Sequence, residues 1–281
     1  MSYQIAVLLT CYNRKHKTLN CLKQFMIASQ KIDDAQFKFF LVDDRSNDGT
    51  SVAVKNAFPF VKIISGNGSL YWNGGMRLAW KTAVLERKFD FYLWINDDVC
   101  LYSSALIDLL DSYSSAKKID GKEAIIVGSF EERSKSKVFS YGGRTDSGPV
   151  FPNGKIQKCK YINGNFVLVA KKIFDVVGFL SNKYIHALGD FDYGLRASFS
   201  GYSCYISKNY VGTCTKNKEL AKWCNPKFSF KQRAINFYEP TGLCFNEYIK
   251  YRKKFWPKSW FIYALKAYAK LIFPKLYNNL K

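Results

Sequence analysis

A chain of 281 residues with 48% apolar and 17% aromatic side chains has enough material for a sizeable core, which excludes a disordered protein. Its formal net charge of +21 points to anionic partners: nucleic acid, anionic lipid or a phosphorylated substrate. No uncharged stretch reaches bilayer length, and the first apolar run, residues 5–9, is too short for a signal peptide's core; eight scattered cysteines without metal-type spacing read as reduced thiols of a cytoplasmic protein.

Strand-like runs occupy residues 5–9, 37–42, 61–64 and 91–95, with helix-length segments between them at 18–29, 50–57 and 74–86. Strands alternating with helices predict an α/β fold with a mostly parallel sheet covered on both faces. In such a sheet, loops beyond the carboxyl ends of the strands converge on a ligand crevice. The polar residues fall there. Thr10, Cys11, Tyr12 and Asn13 follow the first strand, Asp43 and Asp44 the second, Asp97 and Asp98 the fourth. Two neighbouring carboxylates after the buried run FYLWI each prefer water, unless a cation shares their place. The stretch after the first strand, TCYNRK, lacks the glycine-rich turn of a dinucleotide fold. GNGSLYWNGG (66–75), which contains Asn67, Trp72 and Asn73, reads as tight turns with close backbone approach to a ligand, or as a plain surface loop.

LLTCYNR, FLVDDRSNDGT, WINDDV and GDFDYGLR, in that order, resemble the inverting family-two glycosyltransferases of the GT-A fold. The similarity runs over residues 5–206, and the ending NEYIKYRKKF is similar to rhamnosyltransferase-like members that assemble bacterial polysaccharide (capsule or O-antigen). The resemblance implies a nucleotide-sugar donor and a divalent metal, Mn²⁺ or Mg²⁺. It makes Asp98 the metal ligand and Asp97 a contact to ribose or metal-bound water, with Asn96 standing where the family has its first aspartate. Asp44 matches the carboxylate that accepts the base N3–H, implying a UDP or dTDP donor, and Tyr12 the ring that packs on the base. Asn73 falls in the family's Arg-Asn pair, with Trp72 in the arginine position, where it reads either as a ring for a sugar face or as core. Asn163 and Asn165 match a loop packed against the donor sugar, or serve turns. Asp190 matches the catalytic base, although Gly189 stands where Glu often precedes it, and His186 falls near an acceptor pocket or on the surface. Independently of the family, Asp192 and Arg196 are spaced to pair on one helix face.

These motifs divide the chain into a catalytic domain over 1–215 (nucleotide-binding half 1–100, acceptor-side half 101–215) and an extension over 216–281. The last 61 residues carry 13 Lys and Arg against 2 Glu, hence +11 of the total charge. Within them KSWFIYALKAYAKLIF has helix length, with Lys266 and Lys270 one turn apart. Such a helix either lies in a membrane interface or packs on protein. A glycan or polyprenyl-linked glycan acceptor fits the first reading and implies a peripheral position at the cytoplasmic membrane. Two other classes compete. A nucleic-acid-binding protein explains the charge but has no use for carboxylates gathered in a cleft, and no nucleic-acid partner is expected. A nucleotidyltransferase calls for a glycine-rich basic loop after the first strand.

Overall fold

A computed structural model describes residues 2–216 and 219–279. The chain forms two compact units, one of residues 1–182 and 189–216, the other of residues 183–188 and 217–281.

The first unit opens with β1 (Tyr3–Cys11), α1 (Lys15–Ser29), β2 (Ala35–Asp43), α2 (Thr50–Ala57), β3 (Lys62–Ser65), α3 (Tyr71–Glu86) and β4 (Phe91–Ile95). It continues through β5 (Cys100–Leu101), α4 (Ala105–Asp120), β6 (Ala124–Glu131), β7 (Phe139–Tyr141), β8 (Arg144–Thr145), β9 (Gly148–Pro149), β10 (Gln157–Cys159), β11 (Phe166–Ala170), α5 (Lys171–Val177), α6 (Gly189–Phe199) and β12 (Ser203–Thr213). The main sheet has the order β10-β12-β6-β11-β4-β1-β2-β3. The strands β1 to β4 run parallel, β11 enters antiparallel beside β4, and β12 lies parallel to β6. Helices cover both faces, so the central strands are apolar throughout: every residue of β4 (FYLWI) and of β11 (FVLVA) is buried.

The chain order reverses at β1, which lies between β2 and β4. Cys11 pairs with Asp43, and Leu8 with Trp94, so the ends of β1, β2 and β4 open side by side at a topological switch point.

Two helices start earlier than their periodicity predicts, for one reason. The Asp48 carboxylate accepts the Lys15 N–H (2.9 Å), and Asp44 accepts those of Leu70 and Tyr71 (2.8 and 3.1 Å). A carboxylate supplied by a neighbouring loop satisfies N–H groups that a helix start leaves open. The glycines of 66–75 also differ from expectation. Gly74 and Gly75 are helical, and a Cβ on Gly75 would come within 2.1 Å of Thr10 Oγ1. The close approach is to β1, the chain's own strand.

The second unit contains α7 (Phe230–Tyr238), α8 (Phe245–Phe255), α9 (Trp260–Ile272) and α10 (Pro274–Asn279) around a small core of Phe237, Ala267 and Leu271. Ser229 and Gln232 form a capping box at the start of α7. Arg233 gives Nε to Leu271 O (3.0 Å), tying α7 to the end of α9. Arg252 lies over the rings of Tyr248, Tyr251, Trp256 and Tyr263, 3.9 Å from the last centroid.

Candidate functional site

Strained backbone follows three of the parallel strands. Asn13, Arg45 and Tyr71 all have left-handed φ, 50°, 66° and 51°, which side chains other than glycine rarely adopt. Side chains hold these turns. Asn13 N–H donates to Ser46 Oγ (2.9 Å) and Asn47 N–H to Asn13 Oδ1 (2.8 Å), so Asn13 joins the β1 and β2 loops.

Asp43 and Asp44, both 4% exposed, are taken up mostly by backbone N–H groups. Asp43 accepts Ser46 N–H (2.8 Å) and the Ser51 hydroxyl. Asp44 accepts three N–H groups, those of Gly68 (2.8 Å), Leu70 and Tyr71. Asn67 turns inward on its own loop, its Oδ1 accepting from Ser69 N–H and Oγ (2.9 Å each). Thr10 packs against Gly75, Cys11 is buried with burial pushing its thiol far up, and Tyr12 projects into solvent at 56% exposure.

Asp97 and Asp98 are held differently. A single nitrogen, Arg14 Nη1, lies 3.0 Å from Asp97 Oδ1 and 3.0 Å from Asp98 Oδ2. Thr18 Oγ1 donates to Asp97 Oδ2 (3.1 Å). Asp97 is 3% exposed, and burial, with Asp98 beside it, pushes its carboxyl up to about 6 against the opposing pull of Arg14. Neither Arg14 nor Thr18 is singled out by spacing; both lie about eighty positions from the carboxylates they meet, and only the β1–β4 pairing brings them there.

Asn96 faces the other way. Its Oδ1 accepts Trp72 Nε1–H (2.6 Å) and its Nδ2 donates to Asn165 Oδ1 (2.7 Å), while its backbone N–H donates to Asn165 O (2.9 Å). Asn163 Oδ1 accepts Asn165 N–H at 3.3 Å. Between these asparagines the Gly164 backbone lies on the Trp72 ring: a Cβ there would come within 2.4 Å of it. Gly164 N–H in turn donates to Asp190 Oδ2 (2.9 Å). The three-residue loop 163–165 therefore joins Asp190, Trp72 and Asn96, which precedes the Asp97–Asp98 pair.

Asp190 sits in the first turn of α6, half-buried; its Oδ1 accepts Phe191 N–H (2.8 Å). Burial pushes its carboxyl up to about 6, partly offset by these backbone donors. The glycine before it has a steric reason: a Cβ on Gly189 would meet Asn73 Oδ1 at 1.9 Å. Asn73 itself is fully buried and donates Nδ2 to Ser181 O (2.8 Å), tying α3 to the segment after α5. Asp192, also fully buried, takes Arg196 Nε at 2.7 Å, and Arg196 Nη2 donates to Phe179 O (2.8 Å), so this pair anchors the helix that carries Asp190. His186 belongs to the short segment of the second unit, residues 183–188.

Two carboxylate oxygens converging on one cationic nitrogen are a donor set of the right chemistry for Mg²⁺ or Mn²⁺, which use one or two carboxylates and complete their shell with phosphate and water oxygens. Among the described residues no cluster of three or more His, Cys, Asp or Glu could hold a metal alone.

No protein-family profile matches the chain, and no curated protein matches it in sequence. Solved structures do match. A mannosyltransferase from Pyrobaculum calidifontis, PcManGT, in complex with GDP-Man and Mn²⁺, superposes with a TM-score of 0.53 at 14% identity over 78% of this chain and 59% of its own. S. aureus TarS (residues 1–349) superposes with a TM-score of 0.52 at 12% identity, covering 75% of this chain. Its complex with UDP-GlcNAc does so at 13% identity, covering 77%. The chain spans about three fifths of the length of these structures. What it shares with them is the fold, an α/β GT-A architecture with a mostly parallel central sheet; this chain adds a helical C-terminal region.

Proposed function

We propose that the protein is an inverting glycosyltransferase that moves a hexose or deoxyhexose from a UDP- or dTDP-sugar to a hydroxyl of a glycan or lipid-linked glycan. The observation that carries this is the loop 163–165, which bonds Asp190 on one side and Asn96 of the Asn96-Asp97-Asp98 run on the other. A base and a carboxylate pair so joined suit a single in-line displacement. The acceptor oxygen attacks the anomeric carbon, Asp190 takes its proton, and the bond to the nucleoside diphosphate breaks on the opposite face. A carboxyl near 6 is ionised at neutral pH yet basic enough to assist. A divalent cation at Asp97 and Asp98 would supply charge neutralisation for the departing diphosphate. The pyrimidine preference rests on Asp44: a carboxylate has about four acceptor directions, and three are taken, leaving one for an N3–H. Thermal protection by a panel of nucleotide sugars with Mn²⁺, followed by the anomeric configuration of any product, tests the reading. UDP- or dTDP-sugars should protect and the product should be inverted; protection by none of the panel, or a retained configuration, refutes it.

The acceptor side of this reading, polysaccharide assembly of the rhamnosyltransferase-like type at the cytoplasmic membrane, draws support from α9. No helix among the described residues is long and apolar enough to cross a membrane. Phe261, Leu265, Tyr268 and Ile272 nonetheless form an exposed apolar stripe along α9, with Lys266 and Lys270 beside it. An apolar stripe flanked by lysines, in a region of +11 charge, suits an anionic lipid surface. Full-length protein should co-sediment with vesicles containing phosphatidylglycerol, and a Leu265→Ser/Ile272→Ser variant should do so less. Equal sedimentation of both proteins would remove α9 from the argument.

A further inference from the structure

The Arg14 guanidinium and a divalent cation need the same two oxygens. Arg14 Nη1 is 3.0 Å from both Asp97 Oδ1 and Asp98 Oδ2. A guanidinium does not deprotonate in proteins, so it clears those oxygens only by moving. It has room to move: the Arg14 side chain is 45% exposed, whereas Asp97 is 4% and Asp98 27% exposed. Its backbone, by contrast, is fixed. Arg14 directly precedes α1 and follows Asn13, which is bonded to the β2 loop, and Arg14 O accepts Thr18 N–H (2.9 Å). Nor does Asn96 add to the set: its amide is neutral, and its oxygen is taken by Trp72 Nε1–H.

We propose that Arg14 is a resident counter-ion that competes with the divalent cation for Asp97 and Asp98, and that it makes metal binding depend on the donor. This rests on the glycosyltransferase reading. With Arg14 in place, the two carboxylates offer a free metal ion one net negative charge and no vacant convergent oxygens. A nucleoside diphosphate changes the balance: it brings further hard oxygens for the cation and an anionic group that the released guanidinium can meet on its long, mobile stem. Metal and donor therefore enter together, and metal alone binds weakly.

The test is Mn²⁺ binding, read by the free-ion EPR signal, for wild type, Arg14→Gln and Arg14→Lys, with and without UDP. Arg14→Gln should bind Mn²⁺ alone on the order of tenfold more tightly than wild type, the size expected when two partly exposed ion pairs no longer have to be broken. In that variant, UDP should then raise Mn²⁺ affinity by a smaller factor than in wild type. Arg14→Lys, which keeps the charge, should resemble wild type. Equal or weaker Mn²⁺ binding by Arg14→Gln overturns the proposal and leaves the functional reading standing. Absence of Mn²⁺ and UDP binding by every protein instead removes the reading beneath it. A measurement on the wild type guards against a variant that does not fold: the Arg14 side-chain N–H resonance should shift on saturation with Mg²⁺ and UDP. An unmoved resonance at saturation also overturns the proposal.

Discussion

Two strands of one sheet end in the same dipeptide, Asp-Asp, and the structure uses the two copies in different ways. At the end of β2, Asp43 and Asp44 are buried and accept backbone N–H groups that belong to loops and to the start of α3. At the end of β4, Asp97 and Asp98 meet side chains, the part-exposed Arg14 guanidinium and the buried Thr18 hydroxyl. Backbone donors are fixed by the fold, so the first pair is mainly structural support, with one acceptor direction of Asp44 left over. Side-chain donors can be exchanged for a ligand, so the second pair is available for chemistry. What separates them is the partner, and the partner is decided by which loop lies opposite.

The largest effect should come from the carboxylate outside both pairs. Asp190→Asn keeps size and removes the proposed base, and is expected to lower turnover by ~10²–10⁴-fold while donor nucleotide still binds. Sugar transfer at a near wild-type rate would show that Asp190 is another support, like Asp44. Asp98→Asn should lower Mn²⁺-dependent nucleotide binding by more than about tenfold, since a ligand matters at least as much as the residues that support one. Its melting temperature should stay close to wild type; unaltered metal dependence in calorimetry would put the ligand elsewhere.

Asp44→Asn should also act on stability. One amide oxygen cannot serve three N–H groups, so buried donors are left open, at a cost of about 1–3 kcal/mol in denaturant unfolding. Unchanged stability would show that these backbone contacts do not brace the fold, and unchanged selectivity for UDP over GDP would remove Asp44 from the base contact. The smallest effect is a pH dependence with two opposite signs. The Asp97 carboxyl rises to about 6 in the folded chain, above its unfolded value, so the folded state holds this proton more firmly. Its contribution to stability is therefore greatest in acid and declines as pH rises to about 6, with no further change above. Mn²⁺ affinity, which needs the ionised form, should climb over the same interval; a metal affinity flat between pH 5 and 7 would contradict the assignment.

Much of the first half was legible along the chain. β4 coincides with its apolar run, and α2 with its predicted segment, because short local patterns decide both. The Asp192–Arg196 pair follows from helical spacing alone. The starts of α1 and α3 did not, because their caps are Asp48 and Asp44, contributed by a loop distant in sequence. The role of Asn96 and Trp72 likewise depends on each other and on Asn165, three segments that meet only in the sheet.

By itself, the sequence determined the alternation of strands and helices, the convergence of polar residues on the strand ends, and the basic, aromatic character of the last helices. These are properties of composition and period, and every residue carries its share locally. Only the tertiary structure decided which aspartates are braced and which face a displaceable cation, why residue 189 has no side chain, and that Arg14 sits between Asp97 and Asp98. Hydrogen bonds and steric limits of that kind act over a few ångströms in space, between residues that the chain separates by scores of positions.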